Sequence, residues 1–330
     1  MLRNMKRSVA IILIFLLLLP AIMLSGCKQN NSNEKISVVC TIFPQYDWVR
    51  QIVGDKASDM DLTFVINNRI DLHSYQPSVE DIAKISSSDL FIYVGGESDE
   101  WVDDALKEAV KKDMVAINLL EELGDAAKEE EIKEGMEEEE HDEAEGDHED
   151  ETEYDEHVWL SLKNAQIFCQ IIAKAISSLD PDNAEVYQAN LTSYIGKLSA
   201  LDSQYQTEVT ASPVKTVVFG DRFPFRYLVN DYGLDYYAAF IGCSAETEAS
   251  PNTIIRLAEK VDEFKLKTIM VTESSDQSIA KTIKDNTKDK NQQILVLDSL
   301  QSVTSNDAQN GTTYLSVMEN NLEVLKKALK

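Results

Sequence analysis

Cysteine, histidine, proline and glycine are all scarce in this 330-residue chain, at four, four, seven and twelve residues. The cysteines include no C-x-x-C pair, which excludes a dithiol redox motif and a zinc knuckle. There is no G-x-S-x-G elbow, and four histidines leave few candidate bases for a Ser/His/Asp triad. H-E-x-x-H and a phosphate-cradling glycine loop are also missing. Positive charge is short as well. Thirty-one Lys and Arg stand against 58 Asp and Glu, a formal net charge of −27. Nucleic acid wants a basic surface, so no nucleic-acid partner is expected.

The N-terminus sets the compartment. Arg3, Lys6 and Arg7 precede the apolar run VAIILIFLLLLPAIML, and LSGC follows, ending at Cys27. A basic start, an apolar stretch and small residues before a cut read as a secretory signal over residues 1–27. LSGC resembles a bacterial lipobox, which makes Cys27 the acylated residue and places the chain on the outer face of a bacterial cell membrane. Read instead as a transmembrane anchor, the run is near the short limit and contains Pro20. Residues 28–35 form a polar tether. What remains is long enough for two domains. Cys40 and Cys169 lie in apolar runs and belong in a core; Cys243 has no place assigned by pattern.

From Ile36 short apolar runs alternate with helical stretches: ISVVCTIF, PQYDWVRQIV, LTFVI, PSVEDIAKIS, DLFIYV, DEWVDDALKEAVKK and MVAINL. This βαβα order predicts a mostly parallel sheet covered by helices. Nineteen carboxylates and two lysines then fall between Gly124 and Glu156. Almost without apolar residues, the tract reads as a disordered loop. A long stretch free of Gly and Pro, with apolar residues at helical spacing through Leu191, Leu198 and Leu201, predicts one long helix. A second α/β series follows from KTVVFG to the C-terminus. The domains expected are an N-terminal lobe at 36–180 carrying the acidic loop 124–156, a linking helix at 181–210 and a C-terminal lobe at 211–330. QPSVEDIAKISSSDLFIYV and SPNTIIRLAEKVDEFKLKTIMV echo each other, which fits two similar lobes. Ligands would sit between them, at the carboxyl ends of the strands.

Five side chains occupy such ends or sit beside them: His73 after LTFVI, His157 where order resumes after the acidic tract, Asp221 after KTVVFG, Glu273 after KTIMVT and Asp298 ending QILVLD. Singly, each reads as a loop residue, cap or turn. Together, imidazoles and carboxylates suit zinc, or manganese if oxygen ligands dominate.

Two motifs carry a resemblance. His73-Ser-Tyr-Gln-Pro-Ser follows the second strand, and His157-Val-Trp-Leu-Ser-Leu-Lys-Asn-Ala follows the acidic tract. In these the mature chain resembles the metal-specific solute-binding lipoproteins of zinc/manganese ABC importers. The resemblance implies two α/β lobes bridged by a rigid helix, and a monomeric receptor rather than an enzyme. It also implies a divalent metal (Zn2+, alternatively Mn2+) as cargo and a membrane ABC permease as partner. By the same resemblance His73, His157 and Asp298 are metal ligands, and His141 and His148 in the acidic loop collect metal. One position departs from the pattern. Counting back from Tyr232-Gly233-Leu234 puts Arg222 where the family has His or Glu, and a guanidinium cannot ligate. Asp221, or else Glu273, is then expected to supply the missing oxygen, with Arg222 orienting a carboxylate. A secreted metal-dependent hydrolase using Glu273 as base, and an adhesion lipoprotein, are the rival readings.

Overall fold

The computed structural model describes residues 35–136, 153–244 and 248–330; Cys27, His141 and His148 lie outside these ranges. The N-terminal lobe is built on strands β1 (Ile36–Cys40), β2 (Met60–Phe64), β3 (Leu90–Tyr93) and β4 (Val115–Asn118). Helices α1 (Phe43–Val53), α2 (Val79–Ser86) and α3 (Trp101–Lys107) make the crossovers, and α4 (Leu119–Leu123) follows β4. The strands pair in parallel in the order β2-β1-β3-β4. Helix α5 (Leu162–Leu179) leads to α6 (Ala184–Ala211), which links the lobes.

The C-terminal lobe repeats the plan. It contains β5 (Thr216–Phe223), α7 (Arg226–Tyr232), β6 (Asp235–Ile241), α8 (Pro251–Glu263), β7 (Thr268–Val271), α9 (Ser278–Asn286) and β8 (Gln293–Val296). Helices α10 (Ser305–Gln309) and α11 (Tyr314–Ala328) close the chain. The sheet order is β6-β5-β7-β8, again parallel. The two sheets thus share one winding, with β6 standing in the C-terminal lobe where β2 stands in the first. Strand β5 runs further than the expected KTVVFG. A register shift between Phe219 and Arg222 lets it resume pairing opposite Phe240, so Asp221 and Arg222 lie within the strand.

The long helix earns its length by packing. At 28 residues it spans about 42 Å. Its buried residues Tyr187, Leu191, Tyr194, Leu198, Leu201, Tyr205 and Val209 recur every three or four positions, giving one apolar stripe. One continuous core joins this stripe to both lobes. The C-terminal helix crosses back to the first lobe: the Tyr314 amide donates to Asp47 Oδ2 (2.9 Å) and its hydroxyl to the Trp159 carbonyl (2.7 Å). Tyr205 on α6 donates to the Met318 carbonyl at 2.6 Å. A smaller core (Val218, Phe240, Leu257, Ile269 and Ile283 among its members) fills the space between the second sheet and α8 and α9.

The ends of the acidic tract, residues 124–136 and 153–156, correct the expectation of a loop without structure; residues 137–152 lie outside the described residues. Glu129 bridges Tyr154, and Met136, Asp155 and Glu156 are buried. Its two ends are folded against the lobes, because their carboxylates find hydrogen-bond partners there.

Candidate metal centre

His73 sits on a single tight turn between β2 and α2. Asp71 caps that turn, its Oδ1 accepting the His73 amide at 3.1 Å. Buried Leu72 on one side, and Tyr75 packed edge-on against Trp101 with centroids 5.8 Å apart, hold the turn in place. Ser78 then caps α2 in a reciprocal box with Asp81.

His157 is fully buried, and the residues after it explain its motif. Val158, Trp159 and Leu160 form a buried turn. The Trp159 indole N–H donates to the Ser299 carbonyl of the other lobe at 2.9 Å. Ser161 caps α5 by accepting the Asn164 amide (3.0 Å) and donates to Asp231 (2.6 Å). The Asn164 side chain donates back to the Val158 carbonyl at 3.2 Å.

The two imidazoles meet. Their Nε2 atoms are 3.2 Å apart. Nδ1 of His157 lies 3.1 Å from Asp155 Oδ1, and Nδ1 of His73 lies 3.3 Å from Glu156 Oε2 and 2.6 Å from Ser98 Oγ. An ionised carboxylate beside Nδ1 favours the tautomer with the ring proton there, which leaves the lone pair on Nε2. Two lone pairs then face each other, which repels unless a proton or cation stands between them.

Buried carboxyl groups surround the pair. Asp99, Asp155 and Glu156 are each no more than 3% exposed. Asp99 Oδ2 accepts the amides of Val94 and Gly95 (2.8 and 3.0 Å), and Glu156 Oε1 accepts that of Ser98 at 2.8 Å. Burial pushes the Asp99 carboxyl up to about 7 against those amides, with the Glu156 charge adding to the rise. Burial pulls the His73 imidazolium down. The nearby Glu156 and Asp71 carboxylates outweigh it, so its pKa ends above the ordinary value. Glu156 itself is lowered: burial raises it, but the His73 and Ser98 contacts prevail. Isolated buried carboxylates are costly unless paired. A cation among them relieves that cost.

From the C-terminal lobe, Gly242 and Cys243 follow β6. A Cβ at Gly242 would lie 2.9 Å from His157 Cε1, so the backbone passes directly against the ring. One donor atom each from His73, His157 and Cys243 lie within 4.8 Å of one another. Cys243 is partly buried, and burial, followed by the carboxylates of Glu130, Asp155 and Glu156, pushes its thiol well up.

The carboxylates expected from the C-terminal lobe do not join this group among the described residues. Asp221 Oδ2 accepts the amide and hydroxyl of Thr272 (3.0 and 2.6 Å), tying β5 to the end of β7. Glu273 accepts from the Ser299 amide and hydroxyl (2.8 and 2.9 Å) and from the Ser302 amide. Asp298 Oδ1 accepts the Leu300 amide at 2.8 Å; burial and the Glu273 charge push its carboxyl up to about 6. Arg222 forms an ion pair with Asp71 at 2.9 Å and donates to the Ser244 carbonyl at 3.3 Å. It thereby bridges from β5 to the turn that carries His73. Sequence reasoning left out Asp155, Glu156, Ser98 and Cys243. The two carboxylates were hidden inside a compositional run, and their one local signal was adjacency to His157.

The family described as the periplasmic zinc-uptake complex component A, ZnuA, matches residues 38–328. The chain belongs to the ZnuA family. It is 33% identical over 310 residues to the zinc-binding lipoprotein AdcA of Streptococcus pneumoniae serotype 4, covering 94% of this chain and 59% of that protein. This ZnuA-family chain thus spans about three-fifths of the length of that relative. It is 32% identical over 302 residues to the high-affinity zinc uptake system protein ZnuA of Bacillus subtilis, covering 92% and 90% of the two chains. The Zn(II)-bound ZnuA-like domain of S. pneumoniae AdcA superposes with a TM-score of 0.68 at 29% identity, over 90% of this chain and 99% of that one. The expected architecture of two parallel-sheet lobes on one long helix is the architecture of these neighbours. No helix among the described residues is long and apolar enough to cross a membrane.

Proposed function

We propose that this chain is a zinc receptor that captures the free dication outside the membrane and delivers it to an ABC permease, without catalysis. The observation that carries the reading is the pair of Nε2 atoms 3.2 Å apart with a carboxylate behind each ring. Such a carboxylate–imidazole pair fixes the ring for metal binding and raises its basicity. Both relatives described above are named for zinc, which supports zinc over manganese. Cys27 would hold the receptor, as a monomer, at the outer face of the membrane.

Metal analysis of the chain from residue 28 onward, with zinc and manganese in competition, tests this. One zinc per chain, resistant to excess manganese, is expected. Failure to retain a transition metal would sink the reading. Replacing Cys27 with Ala should release the protein from cells into the medium.

The acidic segment that includes His141 and His148 would act as a weak collector that raises the local dication concentration. Deleting residues 137–152 should then slow uptake at limiting zinc while leaving equilibrium affinity unchanged. Unchanged uptake would remove the collector role.

A further inference from the structure

We propose that the Cys243 thiolate is the third metal ligand, making this a two-histidine, one-cysteine site that takes zinc and rejects manganese. The inference rests on the metal-receptor reading above and adds the donor from the C-terminal lobe. Three observations lead to it. First, among the described residues Cys243 is the member of the C-terminal lobe whose donor atom comes within 4.8 Å of ring nitrogens of both His73 and His157.

Second, among the described residues the carboxylates expected from that lobe lie outside the cluster, Asp298 giving its Oδ1 to the Leu300 amide. Asp221 is held by Thr272, Glu273 by Ser299 and Ser302, and Arg222 by Asp71. Third, the repeat of the sheet makes Cys243 the counterpart of His73. His73 stands between β2 and a helix capped by Ser78. Cys243 stands between β6, the equivalent strand, and a helix capped by Ser250. Each lobe thus presents a donor from the chain that follows the equivalent strand.

The surroundings suit a thiol that must become a ligand. Gly242 leaves no side chain between the β6 backbone and the His157 ring, and a Cβ there would crowd that ring. The Glu130 carboxylate lies close enough to the Cys243 thiol for its charge to act there. On metal binding the S–H bond breaks, sulfur donates its electron pair to the cation, and the proton passes by Glu130 to water. A soft thiolate favours zinc and disfavours manganese, which prefers oxygen donors. Selectivity would then come from one cysteine rather than from the carboxylates of the C-terminal lobe.

Cobalt(II) loading tests the idea directly, because a thiolate ligand gives cobalt a near-ultraviolet charge-transfer band. The chain from residue 28 should show that band. Cys40→Ser and Cys169→Ser should keep it, and Cys243→Ser should lose it while still binding cobalt more weakly. Zinc affinity of Cys243→Ser should fall by more than the roughly 10–100-fold that outer partners of ligands contribute. Its preference over manganese should narrow. As a check independent of variant folding, zinc should protect Cys243 of the native protein from alkylation, read by peptide mass. A cobalt-loaded native protein without the band, or zinc-bound protein whose Cys243 alkylates at the metal-free rate, overturns the assignment. If the native protein binds neither cobalt nor zinc, the receptor reading fails first.

Discussion

Replacing Glu156 with Gln isolates what the carboxylate behind His73 does. Glu156 Oε1 accepts the Ser98 amide at 2.8 Å, and Oε2 lies 3.3 Å from His73 Nδ1. A glutamine keeps its carbonyl toward the Ser98 amide, since that group can only donate. Its NH2 then faces Nδ1 and donates to it, which moves the ring proton to Nε2. That is the atom turned toward His157. The variant therefore holds its fold but presents a donor where the metal needs a lone pair. Loss of an outer partner of a metal-bound histidine costs about 10–100-fold in affinity, or about 1.4–2.7 kcal/mol. Zinc titration against a competing chelator measures it, with thermal unfolding of the metal-free protein as control. The melting temperature should shift little. Affinity within about twofold of the native value would refute the tautomer argument, and so would an affinity loss no larger than the stability loss.

Four further outcomes follow from the geometry. His73→Ala should lower zinc affinity by at least the roughly 10–100-fold seen for outer partners, and full retention in the same titration would remove the site. Zinc affinity should fall on acidification: His73 has a raised pKa and must be neutral to ligate, so binding weakens as pH drops through that value, measurable between about pH 8 and 5.5. The metal-free protein should respond oppositely. His73 and Asp99 both hold protons more tightly when folded, so the stability they contribute is full at lower pH and is lost as pH rises, and its melting temperature should be higher near pH 6 than near pH 8. Finally, Gly242→Ala should cost about 1–3 kcal/mol of stability by overpacking against His157 and weaken zinc binding, read by denaturant unfolding and titration.

Much of the fold could be read in the chain because its signals were local. Alternating apolar runs marked the strands, and a Gly- and Pro-free stretch marked α6. Strand β5 is the exception, because its register shift after Phe219 resumes pairing at Arg222, beyond the apolar run. The histidines were legible because each sits in a motif whose neighbours are needed nearby: the Asp71 cap, Tyr75 on Trp101, and the Trp159, Ser161 and Asn164 bonds. The C-terminal side of the site was not. Arg222 signalled that the expected donor had gone, but the engagement of Asp221 and Glu273 depends on Thr272 and Ser299, 51 and 26 residues away along the chain. Cys243 carries no spacing motif, and its nearness to the histidines exists only after the second sheet has folded. Asp155 and Glu156 look like every other carboxylate in their tract until burial distinguishes them.

The crossing of the C-terminal helix has a kinetic consequence. Tyr314 is bonded to Asp47 and Trp159, while Tyr205 on α6 holds Met318. The lobes are stitched at the back by two helices instead of one, and opening them like a clam would break buried bonds on both. In the receptor proposed above, the ion would then exchange by side-chain motion at the centre, within an unchanged frame. Residence time becomes a property of a few loop side chains. A distance probe spanning the two lobes should register almost no change as the ion leaves.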